Sequence, residues 1–431
     1  MPSGDRPLSV RGASGIAVAS GIAAFSGLAI SWVVAQSLTP AETAQFLVFW
    51  GLLFSVYGTL SGIQSETTRA VGNALHRVRS RPNSEQSERV QPADAPRMIV
   101  AGLVVGLCVA VLILLTSPAW AERLIPTGHP WTLVASAAAA VAYAGHATMA
   151  GGSAGNGDWP IYSRLMSLES IVRLAAVGIV VAFASSLVGV QYACLAAAGV
   201  WLAFLAVSRR ARLAVFSRAD VAMPRLLRNH AFALLTAAST AALIVGYPVL
   251  FGLTATAAEI DASAGLLLAV QLTRAPILIP LQAFQGVAIA TFVAQRSGRV
   301  AALARPILII LAVTAVGSIL AWLIGPTIML VFGEEYVVAG SVLAGLTIAG
   351  GGVGVLTLTG SAVLAEERHG WYLVGWLSAT TTALAMLILL PVPVEFRVTA
   401  SLVVAPIVGI GLHIIGIASS QRRANRDRIE P

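Results

Sequence analysis

Charge is scarce in this chain. Only 11% of its 431 residues are charged, and lysine is missing altogether, so that all 27 basic residues are arginine. A soluble domain carries roughly a quarter of its residues as charges, which excludes a water-soluble enzyme or nucleic-acid-binding protein. Cysteine is nearly absent too. Cys108 and Cys194 both sit inside apolar runs, where a thiol behaves as a small hydrophobe, so neither a disulfide framework nor a cysteine-based metal site is expected. His146 and His413 are isolated in apolar stretches with no ligand spacing around them. The glycine-rich run at 349–360, AGGGVGVLTLTG, has no preceding soluble strand and no following Lys-Ser or Lys-Thr, so it reads as a bending or close-packing point and not as a phosphate loop. No metal and no cofactor are expected.

What fills the chain is apolar sequence, at 57% of all residues. A bilayer core of about 30 Å needs roughly 20 mainly apolar residues per helix. Twelve runs of that kind occur, near residues 14–36, 43–64, 98–116, 131–150, 165–184, 187–207, 230–253, 262–293, 306–324, 336–365, 371–390 and 398–417. Sorting the arginines by loop orients them, because short cytoplasmic loops hold the excess positive charge. On one side lie 23 of the 27 arginines. The opposite loops hold only Arg123 and Arg397, against Glu42, Glu122, Glu259, Asp261, Glu334, Glu335 and Glu395. Both termini are therefore expected in the cytoplasm, in a bacterial cytoplasmic membrane, and the net charge of +8 mainly records orientation.

The seventh span begins about half-way along the chain. Leu38 to Val56 (LTPAETAQFLVFWGLLFSV) is weakly similar to Leu253 to Leu272 (LTATAAEIDASAGLLLAVQL): a small polar connector with an acid precedes a Leu-rich helix in each. Six spans per half is an even number, so the halves are expected to share one orientation, related by a pseudo-two-fold axis along the membrane normal. The expected fold is all-α and polytopic, with an N-terminal six-helix lobe at 1–207, a cytoplasmic Arg-rich linker at 208–229, a C-terminal six-helix lobe at 230–420 and a cytoplasmic basic tail at 421–431.

Polar residues inside the spans are the functional candidates. Arg274 lies about 12 residues into the eighth run, about 18 Å deep at a rise of 1.5 Å per residue. A charge there costs on the order of 2.5 to 3.5 kcal/mol on insertion scales, so it needs water, a counter-charge or an anionic ligand. At 100° per residue Gln271, Arg274, Gln282 and Gln285 fall within about 80° of one another and should line a polar cavity; a tie to a neighbouring helix is the competing reading for Arg274. Pro276 and Pro280 in the same run, and Pro248 in the seventh, are expected helix bends. In the second run Ser55, Gly58, Thr59, Gly62, Glu66 and Arg69 share one face. Glu66 and Arg69 can pair, as a solvated helix end or as a cytoplasmic gate, and the small residues could equally mark close packing. Glu169 and Arg173, four apart in the fifth run, form the favourable order for a helical ion pair, close enough to the cytoplasmic side to snorkel.

From Gly155 to Leu174 the chain reads GNGDWPIYSRLMSLESIVRL. This resembles a segment of bacterial polysaccharide exporters in which a short glycine loop leads into a helix carrying a Glu and, four residues on, an Arg-Leu. The end of the second run, GIQSETTRAV from Gly62 to Val71, looks like the corresponding place in those proteins. With twelve spans in two halves, the chain is similar to the multidrug/oligosaccharidyl-lipid/polysaccharide (MOP) flippase superfamily, and most to its polysaccharide, or O-antigen flippase-like, branch. The resemblance implies two lobes that alternate between inward-open and outward-open states, and a polyprenyl-pyrophosphate-linked oligosaccharide as substrate. Family members carry cationic cavity residues for the pyrophosphate; Arg274 is the position here that could match, with the Gln271, Gln282 and Gln285 amides meeting sugar hydroxyls. Lipid II flippases of the superfamily usually have fourteen spans and arginines in the first, unlike this chain.

Two other functions compete. Multidrug antiporters of the same superfamily generally hold an acid in the first or seventh span, and neither run here contains Asp or Glu. A membrane glycosyltransferase or polymerase needs acid and base groups outside the bilayer, and the longest exterior loop, 117–130, offers only Glu122, Arg123 and His129. No catalytic residue is expected, and the chain reads as a transporter and not an enzyme. Its expected partners are a lipid-linked glycan, membrane lipids and enzymes of cell-envelope glycan biosynthesis, with no nucleic acid, and the expected state is a monomer.

Overall fold

The structure, a computed structural model, describes residues 10–79, 95–126, 130–278, 299–366 and 368–426. These residues form α1 (Val10–Ser37), α2 (Pro40–Arg79), α3 (Met98–Thr116), α4 (Trp131–Gly155), α5 (Trp159–Ala184) and α6 (Leu187–Val207). They continue with α7 (Met223–Ile244), α8 (Tyr247–Thr254), α9 (Ala264–Leu278), α10 (Arg299–Met329), α11 (Gly340–Ala365), α12 (His369–Leu389) and α13 (Val394–Arg426). Among the described residues ten helices are long and apolar enough to cross a bilayer. The pair α7 and α8, bent by 69° at its break, makes an eleventh if it is counted as one broken span, and α9 opens the eighth expected run, whose residues 279–293 lie outside the described residues. The protein is an all-α polytopic membrane protein. Among the described residues no regular strand forms, and Arg97 and Arg218 make only an isolated antiparallel bridge.

Local chemistry marks several helix starts. Asp158 caps α5 by accepting from the Ile161 N–H at 3.4 Å, and Ser186 caps α6 by accepting from Gly189 at 3.2 Å. The weak internal repeat has a physical core, because each half carries the same reciprocal cap. Before α2, the Thr39 N–H donates to Glu42 Oε2 at 3.0 Å and the Glu42 N–H donates to Thr39 Oγ1 at 3.3 Å. Before α9, Thr256 and Glu259 repeat both bonds at 2.8 and 3.3 Å.

Packing divides the chain into two compact units, one of residues 1–38 and 52–241, the other of residues 39–51 and 242–431. The first unit absorbs the Arg-rich segment 208–229 into its core. A short helix, Arg209–Val215, buries Ala211 and Val215 against Ile99, Met149 and Trp201, while Ala219 and Leu226 pack on Ala70, Val71 and Met98. Backbone bonds from Met98 N to Ser217 O (2.8 Å) and from Ala219 N to Pro96 O (2.9 Å) fasten it to the start of α3. In the second unit α11 is central and mostly buried, whereas the middle of α10 is almost wholly exposed. The glycine run on α11 is a close-packing point. A β-carbon at Gly350 would lie 3.4 Å from Arg274 Cα, one at Gly351 would overlap Thr314 of α10, and one at Gly352 would lie 3.3 Å from Pro406 of α13.

Gly62 on α2 is a second such point: a β-carbon there would come within 2.6 Å of the α7 backbone at Ala233 and Leu234. Backbone cannot step aside as a side chain can, so Gly62→Ala is expected to lower stability by about 1 to 3 kcal/mol. Gly178→Ala on α5, where nothing lies within 4 Å, should stabilise slightly through helix propensity, by at most about 1 kcal/mol. Thermal unfolding of the two variants in the same detergent checks the contrast.

Candidate functional site

Arg274 on α9 is only 5% exposed. Its surroundings follow from the break between α7 and α8. In a continuous helix the N–H groups of residues 247 and 248 would bond the carbonyls of residues 243 and 244. Here the chain turns after Ile244, and Pro248 has no N–H to offer. Arg274 Nη1 donates to both freed carbonyls, at 3.2 Å to Leu243 and 3.3 Å to Ile244, which are also the negative pole of α7. The guanidinium carbon lies 5.5 Å from the centroid of the Tyr247 ring. The buried Tyr247 hydroxyl is hydrogen-bonded to Ser401 on α13 at 2.7 Å. Arg274 Nε and Nη2 have no hydrogen-bond partner among the described residues. The arginine thus serves as a tie with one nitrogen and keeps two others uncommitted.

Around it, Gln271 is half-buried, and Gln282, Gln285 and Pro280 lie outside the described residues. The bend expected at Pro248 comes just ahead of it, between Ile244 and Tyr247, and Pro248 occupies the first turn of α8, where its fixed φ suits a helix start. At Pro276 no break occurs, since α9 runs through it to Leu278.

The first unit holds a different buried cation. Glu169 and Arg173 form an ion pair along α5. Both are buried and do not snorkel, because aromatic rings cover them: Arg173 lies over Phe54 at 4.9 Å and Tyr57 at 5.9 Å. Tyr57 stacks on Tyr143 with centroids 3.9 Å apart, and Tyr143 on His146 at 5.1 Å. His146 is buried, neither ring nitrogen has a hydrogen-bond partner among the described residues, and its stacking on Tyr143 makes it part of this charged, aromatic cluster.

Glu66 and Arg69 on α2 pair in a fork, Nε to Oε2 at 2.7 Å and Nη2 to Oε1 at 2.6 Å. The same guanidinium donates to Asp220 at 3.0 and 3.2 Å, and Asn229 at the start of α7 donates to Glu66 at 3.0 Å. Both carboxylates are buried, so the pair is neither a solvated helix end nor a lone couple. Sequence reasoning missed Asp220, although it is the single acid of the segment 208–229, and that isolation was the available signal.

In the second unit Glu259 combines its cap on Thr256 with an ion pair to Arg397 at 2.5 Å. The Thr256 N–H first, and Arg397 after it, hold the Glu259 carboxyl below its ordinary range.

Comparison with known proteins places the chain. It is 37% identical over 392 residues to uncharacterized protein Rv1510 of Mycobacterium tuberculosis, covering 90% of this chain and 87% of that one. It is 36% identical over 425 residues to uncharacterized protein Mb3654 of Mycobacterium bovis, covering 96% and 95%. The chain belongs to the family of these mycobacterial proteins. No family model matches it. Among solved structures it resembles a multidrug resistance MATE family transporter of the MOP superfamily in an inward-facing conformation, with a TM-score of 0.70 at 17% identity, over 93% of this chain and 96% of that one. It also resembles a MOP superfamily transporter from Pyrococcus furiosus, described as having a binding pocket of reversed polarity, with a TM-score of 0.63 at 15% identity over 95% and 96%. This chain therefore has the fold of MOP superfamily transporters.

Two outcomes follow from the geometry. Removing Arg69 leaves Glu66 and Asp220 buried without their cation, so Arg69→Gln should destabilise by roughly 2 kcal/mol, a buried-pair loss moderated because the arginine side chain is 39% exposed. Pairing it with Asp220→Asn should recover part of that loss, and a double-mutant thermal-unfolding cycle measures the coupling. Glu259 contributes stability that is present above its unfolded pKa of about 4.3 and lost as pH falls through its lower folded value. The Tm of Glu259→Gln should therefore lie below the parent's at neutral pH, with the gap closing as the buffer is taken to pH values beneath the carboxylate range.

Proposed function

We propose that the protein is a flippase that moves a polyprenyl-pyrophosphate-linked oligosaccharide, or a related cell-envelope glycolipid, across a bacterial cytoplasmic membrane by alternating access. The observation that carries this reading is Arg274: a buried guanidinium that no described carboxylate neutralises, with two nitrogens uncommitted among the described residues. A phosphate is the ligand such a group binds best, through paired N–H donors. The transporter fold supports the same reading, and the arginine-rich loops favour cytoplasmic termini. In this scheme the Gln271, Gln282 and Gln285 amides meet sugar hydroxyls, the lipid tail stays in the bilayer, and the protein works as a monomer beside enzymes that build and polymerise the glycan.

A cation-coupled multidrug exporter is the second reading. The similarity to MATE transporters favours it, as does the buried Glu169, paired with Arg173 in the first unit, an acid in the fifth span where none stands in the first or seventh.

Proteoliposomes loaded with a polyprenyl-pyrophosphate-linked oligosaccharide separate the two. The parent protein should translocate it, and Arg274→Ala should slow translocation at least tenfold. The lost carbonyl bonds will also cost about 1.5 to 3 kcal/mol of stability, so Arg274→Lys, which keeps a charged donor for Leu243 and Ile244, serves as the folded comparison and should retain the fold while losing most of the rate. Full-rate transport by Arg274→Ala removes the phosphate role. Proton-driven export of cationic dyes, with no glycolipid movement, establishes the second reading.

A further inference from the structure

A groove of about 650 Å³ opens on the first unit between α1, α5 and α6. Its two ends differ in chemistry. At one end stand Ser14 of α1 and Ser163 and Arg164 of α5, where the helices approach closely enough that a β-carbon on Gly15 would lie 3.2 Å from Ser163 Oγ. Arg164 is exposed and makes no ion pair with a described residue, while the two acids nearest in sequence are engaged elsewhere: Glu169 pairs with Arg173, and Asp158 caps the helix by accepting from Ile161. Beyond Ser167 the lining turns apolar, through Val18, Leu168, Ile171 and Phe204. Val18, Leu168 and Ile171 are exposed outward, as side chains facing acyl chains would be. Arg164 and Ile171 are seven residues apart, about 10 Å along α5.

Charge at one end and an apolar trough running about 10 Å away from it match the upper part of one lipid molecule. The polar end coincides with the starts of α1 and α5, the ends that the arginine census assigns to the cytoplasmic leaflet. We propose that this groove seats one anionic glycerophospholipid of that leaflet, its phosphate against the Arg164 guanidinium and one acyl chain along Val18, Leu168 and Ile171. The groove lies wholly within the first unit, and the proposal stands whichever substrate the protein carries.

Native mass spectrometry of the full chain, titrated with dioleoyl phosphatidylglycerol and separately with dioleoyl phosphatidylcholine, tests it. One phosphatidylglycerol should bind at low concentration and phosphatidylcholine at least tenfold more weakly. Arg164→Gln should weaken phosphatidylglycerol at least tenfold and remove the preference, without changing the Tm of lipid-free protein. Leu168→Trp, which keeps the charge but fills the trough, should weaken both lipids. Equal binding by parent and Arg164→Gln overturns the site, as does indifference to Leu168→Trp. Displacement of the bound phosphatidylglycerol by an equimolar polyprenyl phosphate overturns the assignment of the occupant, because the groove would then belong to the transported substrate.

Discussion

A helix that breaks inside a bilayer exposes carbonyls that lipid cannot meet, and in the second unit a single side chain answers that need. Arg274 donates to Leu243 and Ile244 where α7 ends, and much of the unit is arranged around it. The bend brings the Tyr247 ring beside the guanidinium, Tyr247 reaches Ser401 on α13, and Gly350 on α11 faces the arginine stem. One nitrogen is enough for the carbonyls. A guanidinium has two more, and among the described residues neither finds a hydrogen-bond partner.

The first unit handles its buried cation differently. Glu169 neutralises Arg173 from one turn away on the same helix, and Phe54 and Tyr57 close over the guanidinium. A buried ion pair adds little net stability but is costly to break by removing one partner. Its neutrality leaves little field to attract an anion, whereas Arg274 keeps its charge. The two buried guanidiniums therefore differ in how they are compensated: Arg173 by a carboxylate, Arg274 by backbone carbonyls and a ring.

Apolar run length alone made ten of the twelve expected spans legible, because a bilayer imposes one length on every helix that crosses it. Helix ends were less so. The second run stops at residue 64 by composition, yet α2 continues to Arg79, since Glu66 and Arg69 find Asp220 and Asn229 as partners. The segment 208–229 reads as a linker by its arginines, but small apolar residues between them, Ala211, Val215 and Ala219, pack into the core. Arg274 stood out because nothing nearby in sequence explained it. What it touches did not, because its acceptors are backbone carbonyls, which carry no side-chain signature. Likewise the spacing of Glu169 and Arg173 announced a pair, but only α2 and α4 reveal that rings cover it.

The glycine run on α11 carries one more consequence. Successive residues of a helix point about 100° apart, so Gly350, Gly351 and Gly352 address three neighbours in turn: α9, α10 and α13. The helix works as an axle with three flat faces. A methyl group added at Gly351 would force the α10 seam apart at Thr314, one at Gly352 would press on Pro406 by a few tenths of an ångström, and one at Gly350 would rest in ordinary contact with Arg274.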